Sequence, residues 1–323
     1  MDVPVTPLGR LVTTWGERPR GRPLSGAASA EPGTEGMVSI QTILFPVDFS
    51  PSCEGMAPFV KRAASMLRAR VAILFVLEPP ASGFELVARP LPDALEDRKR
   101  LACAKLGSYL AAEFPLHEIP RLLVVGEPAA QIARIASERG FDLIIMPTHA
   151  GTFRRMLLGS TSAKVLNDAA CLVMTTQHAE TISPRPLEHR EWVCAIGLSA
   201  DSGRVLGCAA GLAEAVHANL SIIHAVSAGE RGLPVQLDLE ERLHLAEKHA
   251  AQDRVAELQR LVGSRATVEI GIGPIKETLT EAARRLHADL LIIGRSSQPG
   301  TQGRLRDLTY AVVRDAPCPV LSV

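Results

Sequence analysis

Two short stretches of this chain combine residue types that can hold a ligand. Asp48 closes the apolar run Ile43-Leu44-Phe45-Pro46-Val47, so it is expected to stand where a buried strand ends. A carboxylate at that place can accept hydrogen bonds from the hydroxyls of a ribose. Gly159-Ser160-Thr161-Ser162 opens a helical run, and the free N–H groups of a helix start, with a glycine and small hydroxyls beside them, suit a phosphate. Both stretches also have plainer uses. Asp48 can form the turn before Ser50-Pro51, and Gly159-Ser160 can simply start a helix.

The remaining chemical candidates are weaker. Thr148-His149 is a polar pair at a strand exit, and no nucleophile or paired acid stands at a recognisable spacing from His149, so no catalytic residue is assigned. Arg154-Arg155 and the group Arg295, Arg304 and Arg306 are expected to be solvated loop charge. The six cysteines, Cys53, Cys103, Cys171, Cys194, Cys208 and Cys318, are scattered singly without clustered histidines. They are read as small buried apolar residues in a reducing compartment, with no metal. G-x-x-x-x-G-K-[ST], H-E-x-x-H and G-x-S-x-G are absent, which argues against a standard ATPase, metalloprotease or serine hydrolase.

The elements that must position these residues follow from a repeat. At 323 residues the chain suits two units of about 150. Gly126-Glu127-Pro128, Phe141-Asp142-Leu143-Ile144-Ile145-Met146 and Cys171-Leu172-Val173 recur in order as Gly273-Pro274-Ile275, Ala288-Asp289-Leu290-Leu291-Ile292-Ile293 and Cys318-Pro319-Val320. Earlier, the run 43–50 aligns with 192–199, so one small length difference separates the halves. Strands are predicted over 42–47, 70–77, 122–125, 143–146 and 172–175. Helices are predicted over 53–67, from Asp93 and Glu96 onward, over 129–139 and from Ser160. The second half repeats the scheme with a long helix over 238–262. Short buried strands alternating with helices call for a parallel sheet covered on both faces. The predicted organisation is a disordered extension over 1–37, a domain over 38–176, a linker over 177–190 and a second domain over 191–323, each domain with a core of its own.

At Ile43-Leu44-Phe45-Pro46-Val47-Asp48-Phe49-Ser50, and from Met146-Pro147-Thr148-His149 to Leu157-Leu158-Gly159-Ser160, the chain resembles the universal stress protein family. Two copies in one chain resemble its tandem members, and the resemblance covers about residues 38–323. It implies an α/β fold of two tandem, doubly wound, parallel five-stranded sandwiches of the adenine nucleotide alpha hydrolase-like class. Some members bind ATP and others do not. Those that do carry an Asp closing the first strand and a G-x-x-G, nine-residue spacer, G-[ST] loop after the fourth. The resemblance therefore implies a nucleotide-binding set of Pro46, Asp48, Val76, Met146, Gly159, Ser160, Thr161 and Ser162. The loop departs from the family: Pro147 and Ala150 replace its glycines, and only eight residues separate Ala150 from Gly159, with Gly151 a partial substitute. In the second half Gly197 replaces Asp48, while Arg306 and Asp307 replace Gly159 and Ser160. ATP or AMP is expected to bind weakly to the first half, leaving the second structural or regulatory.

Composition narrows the function classes. Basic and acidic residues balance at 35 each, so nucleic acid and anionic membranes are not expected partners. No apolar run reaches the ~18 residues of a membrane span, and the first 36 residues lack the apolar core of a secretory signal, so a cytoplasmic location is expected. Three readings stay open: a nucleotide-sensing stress or signalling module, an interaction module of the same fold with an unknown protein partner, and a nucleotide-hydrolysing enzyme. The third is disfavoured because Phe49-Ser50-Pro51-Ser52-Cys53 stands where a pyrophosphatase phosphate loop would follow the first strand. The halves are expected to pair through strands near 171–175 and 318–323 as an intramolecular pseudo-dimer, with homodimerisation open.

Overall fold

The computed structural model describes residues 39–79, 91–148, 159–177, 190–227, 237–295 and 302–323, without the side chains of 91–93, 237–241 and 302–307. The amino-terminal extension, most of the linker, and the loop with His149, Ala150, Gly151, Arg154 and Arg155 lie outside the described residues, as do the side chains of Arg304, Arg306 and Asp307.

In the first half β1 (Thr42–Val47), β2 (Arg70–Leu77), β3 (Arg121–Val125), β4 (Leu143–Pro147) and β5 (Leu172–Thr176) alternate with α1 (Pro51–Leu67), α2 (Leu91–Ser108), α3 (Pro128–Glu138) and α4 (Ser160–Asp168). Local chemistry explains the helix ends. Ser50 caps α1 by accepting from the Cys53 N–H, Pro51 occupies the first helical position, and Arg68 ends the helix in the left-handed region at φ 53°. One predicted start differs: α2 begins at Leu91, ahead of Asp93, and Glu96 pairs instead with Lys99 at 2.7 Å.

The second half repeats the pattern with β6 (Glu191–Ala195), α5 (Ser202–Val216), β7 (Asn219–Val226), α6 (Leu237–Val262), β8 (Thr267–Ile272), α7 (Ile275–Arg285), β9 (Leu290–Ile293), α8 (Gln302–Asp315) and β10 (Val320–Ser322). The repeat extends to backbone conformation. Phe49 and Leu198 (φ 62° and 54°), Arg68 and His217 (53° and 56°) and Gly126 and Gly273 (149° and 145°) match at equivalent positions.

The strand order β3-β2-β1-β4-β5-β10-β9-β6-β7-β8 contains two five-stranded parallel units in mirror order. They meet as expected: β5 and β10 pair antiparallel, with Val320 opposite Thr175, Leu321 opposite Met174 and Ser322 opposite Val173. The expectation of separate cores is corrected. Because the side-chain alternation runs on through this junction, each face of the sheet carries one apolar layer drawn from both halves. On one face Ile43, Phe45, Ile73, Trp192 and Leu321 pack with α1, α2, α5 and α6; on the other Leu44, Leu74, Ile144, Val193 and Leu291 pack with α3, α4, α7 and α8.

Candidate functional site

Strands β1 and β4 are neighbours whose outgoing connections lead to opposite faces, since α1 lies on one side of the sheet and α4 on the other. Such a switch point, beyond the carboxyl ends of the strands, is where open parallel sheets receive ligands. Asp48 leaves β1 and Thr148 leaves β4, so both flank it.

Proline opens the crevice between these strands. Thr42 turns its carbonyl toward β4, where it accepts from the Asp142 N–H, and strand alternation turns residue 46 the same way. The ladder pairs Ile43 with Leu143 and Leu44 with Ile144 and then stops, because the next rung needs the N–H that Pro46 lacks. In the second half Ala195 stands at this position, and the ladder continues through Cys194 with Ile292 and Ala195 with Ile293. The first switch point is unzipped and the second is closed.

Asp48 is exposed, and its Oδ1 accepts from the Ser50 N–H at 2.9 Å and from the Cys53 thiol at 3.2 Å. It therefore forms the turn into α1, while Oδ2 makes no hydrogen bond among the described residues. Burial and the charge of Asp48 push the Cys53 thiol far up, so it stays protonated and is no nucleophile. Phe49, held at φ 62°, stacks on Phe75 at 4.3 Å and meets Tyr109 edge-on at 4.9 Å, with Lys105 Nζ over its ring. Tyr109 also donates to the Ser50 carbonyl at 3.3 Å. This aromatic brace fixes the β1 exit. It was not legible as such in the sequence, where Phe49, Phe75 and Tyr109 stand far apart.

Across the crevice, two predicted phosphate donors are already engaged. The Gly159 N–H donates to the Thr148 carbonyl at 2.9 Å, and the Ser162 hydroxyl to the Pro147 carbonyl at 2.9 Å. These bonds pin the start of α4 to the exit of β4, so the Gly159 N–H and the Ser162 hydroxyl position the site instead of being presented to it. The first intrahelical bond of α4 runs from the Ala163 N–H to the Gly159 carbonyl, which leaves the N–H groups of Ser160, Thr161 and Ser162 without intrahelical acceptors. Met146 is buried and Val76 half-buried, both on the α4 face of the sheet. Pro46 is buried within β1.

Glu127 is a rim residue that sequence reasoning passed over. It caps α3 by accepting from the Ala130 N–H at 2.7 Å and takes Lys164 Nζ at 2.9 Å, tying α3 to α4. Those bonds hold its carboxyl below the usual range. Its sequence signal is the Glu-Pro pair, a helix-start pattern.

The second half spends the same positions on packing. A Cβ on Gly294 would come within 2.9 Å of Val205 Cγ2, so this glycine admits α5 to the end of β9. Arg295, expected in solvated loop charge, instead donates to the carbonyls of Leu166, Ala169 and Cys171 in the first half. Gly197 supplies no carboxylate. A surface depression lies elsewhere, between α1 and the end of α2, lined by Glu54, Lys105, Tyr109 and Glu113. Among the described residues no cluster of His, Cys, Asp or Glu could hold a metal, and no helix is long and apolar enough to cross a membrane.

The family model described as "Universal stress protein family" matches residues 39–177 and again 190–323. A curated relative, universal stress protein A homolog 1 of Coxiella burnetii (strain RSA 493 / Nine Mile phase I), is 25% identical over 143 residues, 42% of this chain and 97% of its own length. The crystal structure of a universal stress protein from Archaeoglobus fulgidus DSM 4304 superposes with a TM-score of 0.60 at 17% identity, covering 88% of this chain and 97% of that one. That likeness is one of fold.

Proposed function

Since the chain belongs to the universal stress protein family and carries two tandem copies of its domain, we propose that it is a stress-response and signalling module whose first half binds an adenine nucleotide weakly. The observation that carries this reading is the asymmetry of the two switch points. Pro46 leaves the β1–β4 crevice open beside an exposed Asp48 and the α4 N–H groups that have no partner among the described residues, whereas Ala195 and Gly197 close and strip its counterpart. In this reading Asp48 accepts ribose hydroxyls, Val76 and Met146 line the base, and the N–H groups of Ser160, Thr161 and Ser162 face phosphate. Binding is weak because Gly159 and Ser162 already spend donors on β4, and Pro147 has none.

The module is read as non-enzymatic. The thiol beside Asp48 is buried and protonated, and no nucleophile and base stand paired among the described crevice residues. Six free cysteines go with a reducing, cytoplasmic setting.

Calorimetry of the full chain with ATP, ADP and AMP tests the proposal. Asp48→Ala is expected to weaken binding by roughly one to two powers of ten, the worth of one charge-assisted hydrogen bond at about 1.5–3 kcal/mol. Asp48→Asn keeps an acceptor for the Ser50 N–H and separates loss of the turn from loss of the ligand contact. Binding indifferent to Asp48 would refute the assignment. No binding to the wild-type chain would favour the second reading, a nucleotide-independent interaction module, for which the engaged Gly159 and Ser162 already speak.

A further inference from the structure

The helix that borders the candidate site, α4, is braced by a residue of the other half. It has nine residues, a length that is marginal without external support. Its amino-terminal end is fixed within the first half by the bonds of Gly159 and Ser162 to β4 and by the Lys164–Glu127 pair. Its carboxyl end is different. Ala169 closes the helix with one backbone bond to the Val165 carbonyl, and the guanidinium of Arg295 supplies further donors at and just beyond the helix end. Nη1 donates to the carbonyls of Leu166 at 3.1 Å and Ala169 at 2.9 Å, and Nη2 to that of Cys171 at 2.6 Å. Planar donors fixed in a fork suit such converging carbonyls at the end of a helix. Tyr310 adds a fourth cross-half bond, from its hydroxyl to the Ala163 carbonyl at 3.0 Å.

The bracing is unequal: toward α8, Gln177 returns one bond, to the Val313 carbonyl at 3.0 Å. At the position equivalent to Arg295 the first half has Thr148, whose hydroxyl bonds the Thr176 carbonyl within its own half at 3.2 Å. The side chain that in the first half stays at its own switch point has in the second half left it and crossed the junction.

We infer that Arg295 makes the second half a built-in clamp on α4, so that phosphate binding by the first half depends on the second. The inference rests on the nucleotide reading above. It explains why the second copy is retained in the chain with a closed switch point of its own: its task at this junction is to hold the ligand-bearing helix of its neighbour. Arg295 touches no ligand in this scheme and is a positioning residue.

The test uses the full chain with Arg295→Met, Arg295→Lys and, as a control, Gln177→Ala, which deletes the cross-half bond to the Val313 carbonyl without touching α4. Amide hydrogen exchange across 160–169 and titrations with ATP and with adenosine are measured on each. Arg295→Met should accelerate exchange in α4 and weaken ATP by at least about fivefold, the lower end of ordinary coupling between sites. Adenosine, which lacks the phosphates that α4 would receive, should bind as before. Arg295→Lys should restore part of both effects, and Gln177→Ala should show neither. The inference is overturned if exchange in α4 is unchanged in Arg295→Met, if ATP and adenosine weaken equally, or if Gln177→Ala behaves alike. If the wild-type chain binds no ATP, the nucleotide reading falls and the affinity arm with it. Exchange then decides the clamp alone: selective acceleration in α4 upholds it, and an unchanged α4 overturns it.

Discussion

Tyr310 donates its hydroxyl to the carbonyl of Ala163, the residue that occupies Tyr310's own place in the other repeat, 147 positions earlier. A residue that touches its own counterpart lies at the pseudo-two-fold axis relating the halves, beside the antiparallel β5–β10 pair. The junction is thus built as a symmetric dimer interface would be, inside one chain.

This symmetry predicts the behaviour of the first half expressed alone as residues 39–177. Removing β10 bares the edge of β5 together with apolar side chains on both faces of the sheet. The fragment is expected to dimerise, β5 against β5, or to aggregate, and to melt below the full chain. Size-exclusion chromatography with light scattering reads the outcome, and a stable monomer would contradict the shared core.

Pro46→Ala should restore the N–H that the β1–β4 ladder lacks. The variant is expected to gain the rung that Ala195 makes in the second half, to resist denaturant at least as well as wild type, and to bind ATP more weakly as the crevice closes. Hydrogen exchange at residue 46 and calorimetry measure the two effects. Unchanged affinity with a protected amide would separate the open ladder from ligand binding.

Arg121→Met tests a second arginine that serves carbonyls. Its side chain is 2% exposed and donates to the carbonyls of Leu106, Ile119, Tyr109 and Phe114, closing the end of α2 beneath the aromatic brace of Phe49. Methionine fills similar volume but strands these acceptors, so urea denaturation should register a loss of about 2–4 kcal/mol. A loss under about 1 kcal/mol would mean that water replaces the guanidinium there.

Asp315 predicts a pH dependence. Hydrogen bonds from Arg314, and then from Lys276, pull its carboxyl from 3.8 down to about 2. A depressed carboxylate stabilises the fold fully above its unfolded value and loses that contribution as pH falls through the folded one. Asp315→Asn should therefore cost less than about 1 kcal/mol near neutrality, since the pair is partly solvated and screened. The difference from wild type should shrink from pH 3.8 toward pH 2. Denaturation midpoints of both proteins across that range give the comparison, and a gap that persists at the acid end would rule out the ion pairs as its source.

Local pattern carries most of the fold. Buried alternation in 42–47 and 143–146, the Ser50-Pro51 helix start and the repeated Gly126 and Gly273 turns depend on residues close in sequence, so periods and spacings predict strand, helix and duplication directly. The pairing of the last strands was also legible, because duplication turns a dimer edge into an internal one. The state of the site was not. Whether Gly159 and Ser162 offer donors or spend them on Thr148 and Pro147 depends on how α4 docks against β4. That Pro46 unzips one crevice follows from which way its missing N–H faces, a property of the sheet and not of the residue. Arg295 is the plainest case: next to a polar loop it reads as solvated charge, yet its partners lie 124 to 129 residues away in the other half. The sequence by itself determined the elements, their order and their duplication, since these are set by short-range sterics and by the burial of periodic apolar faces. Only the tertiary structure decided which hydrogen-bonding groups remain free, because each such group is claimed by whatever partner the packed chain brings within about 3 Å.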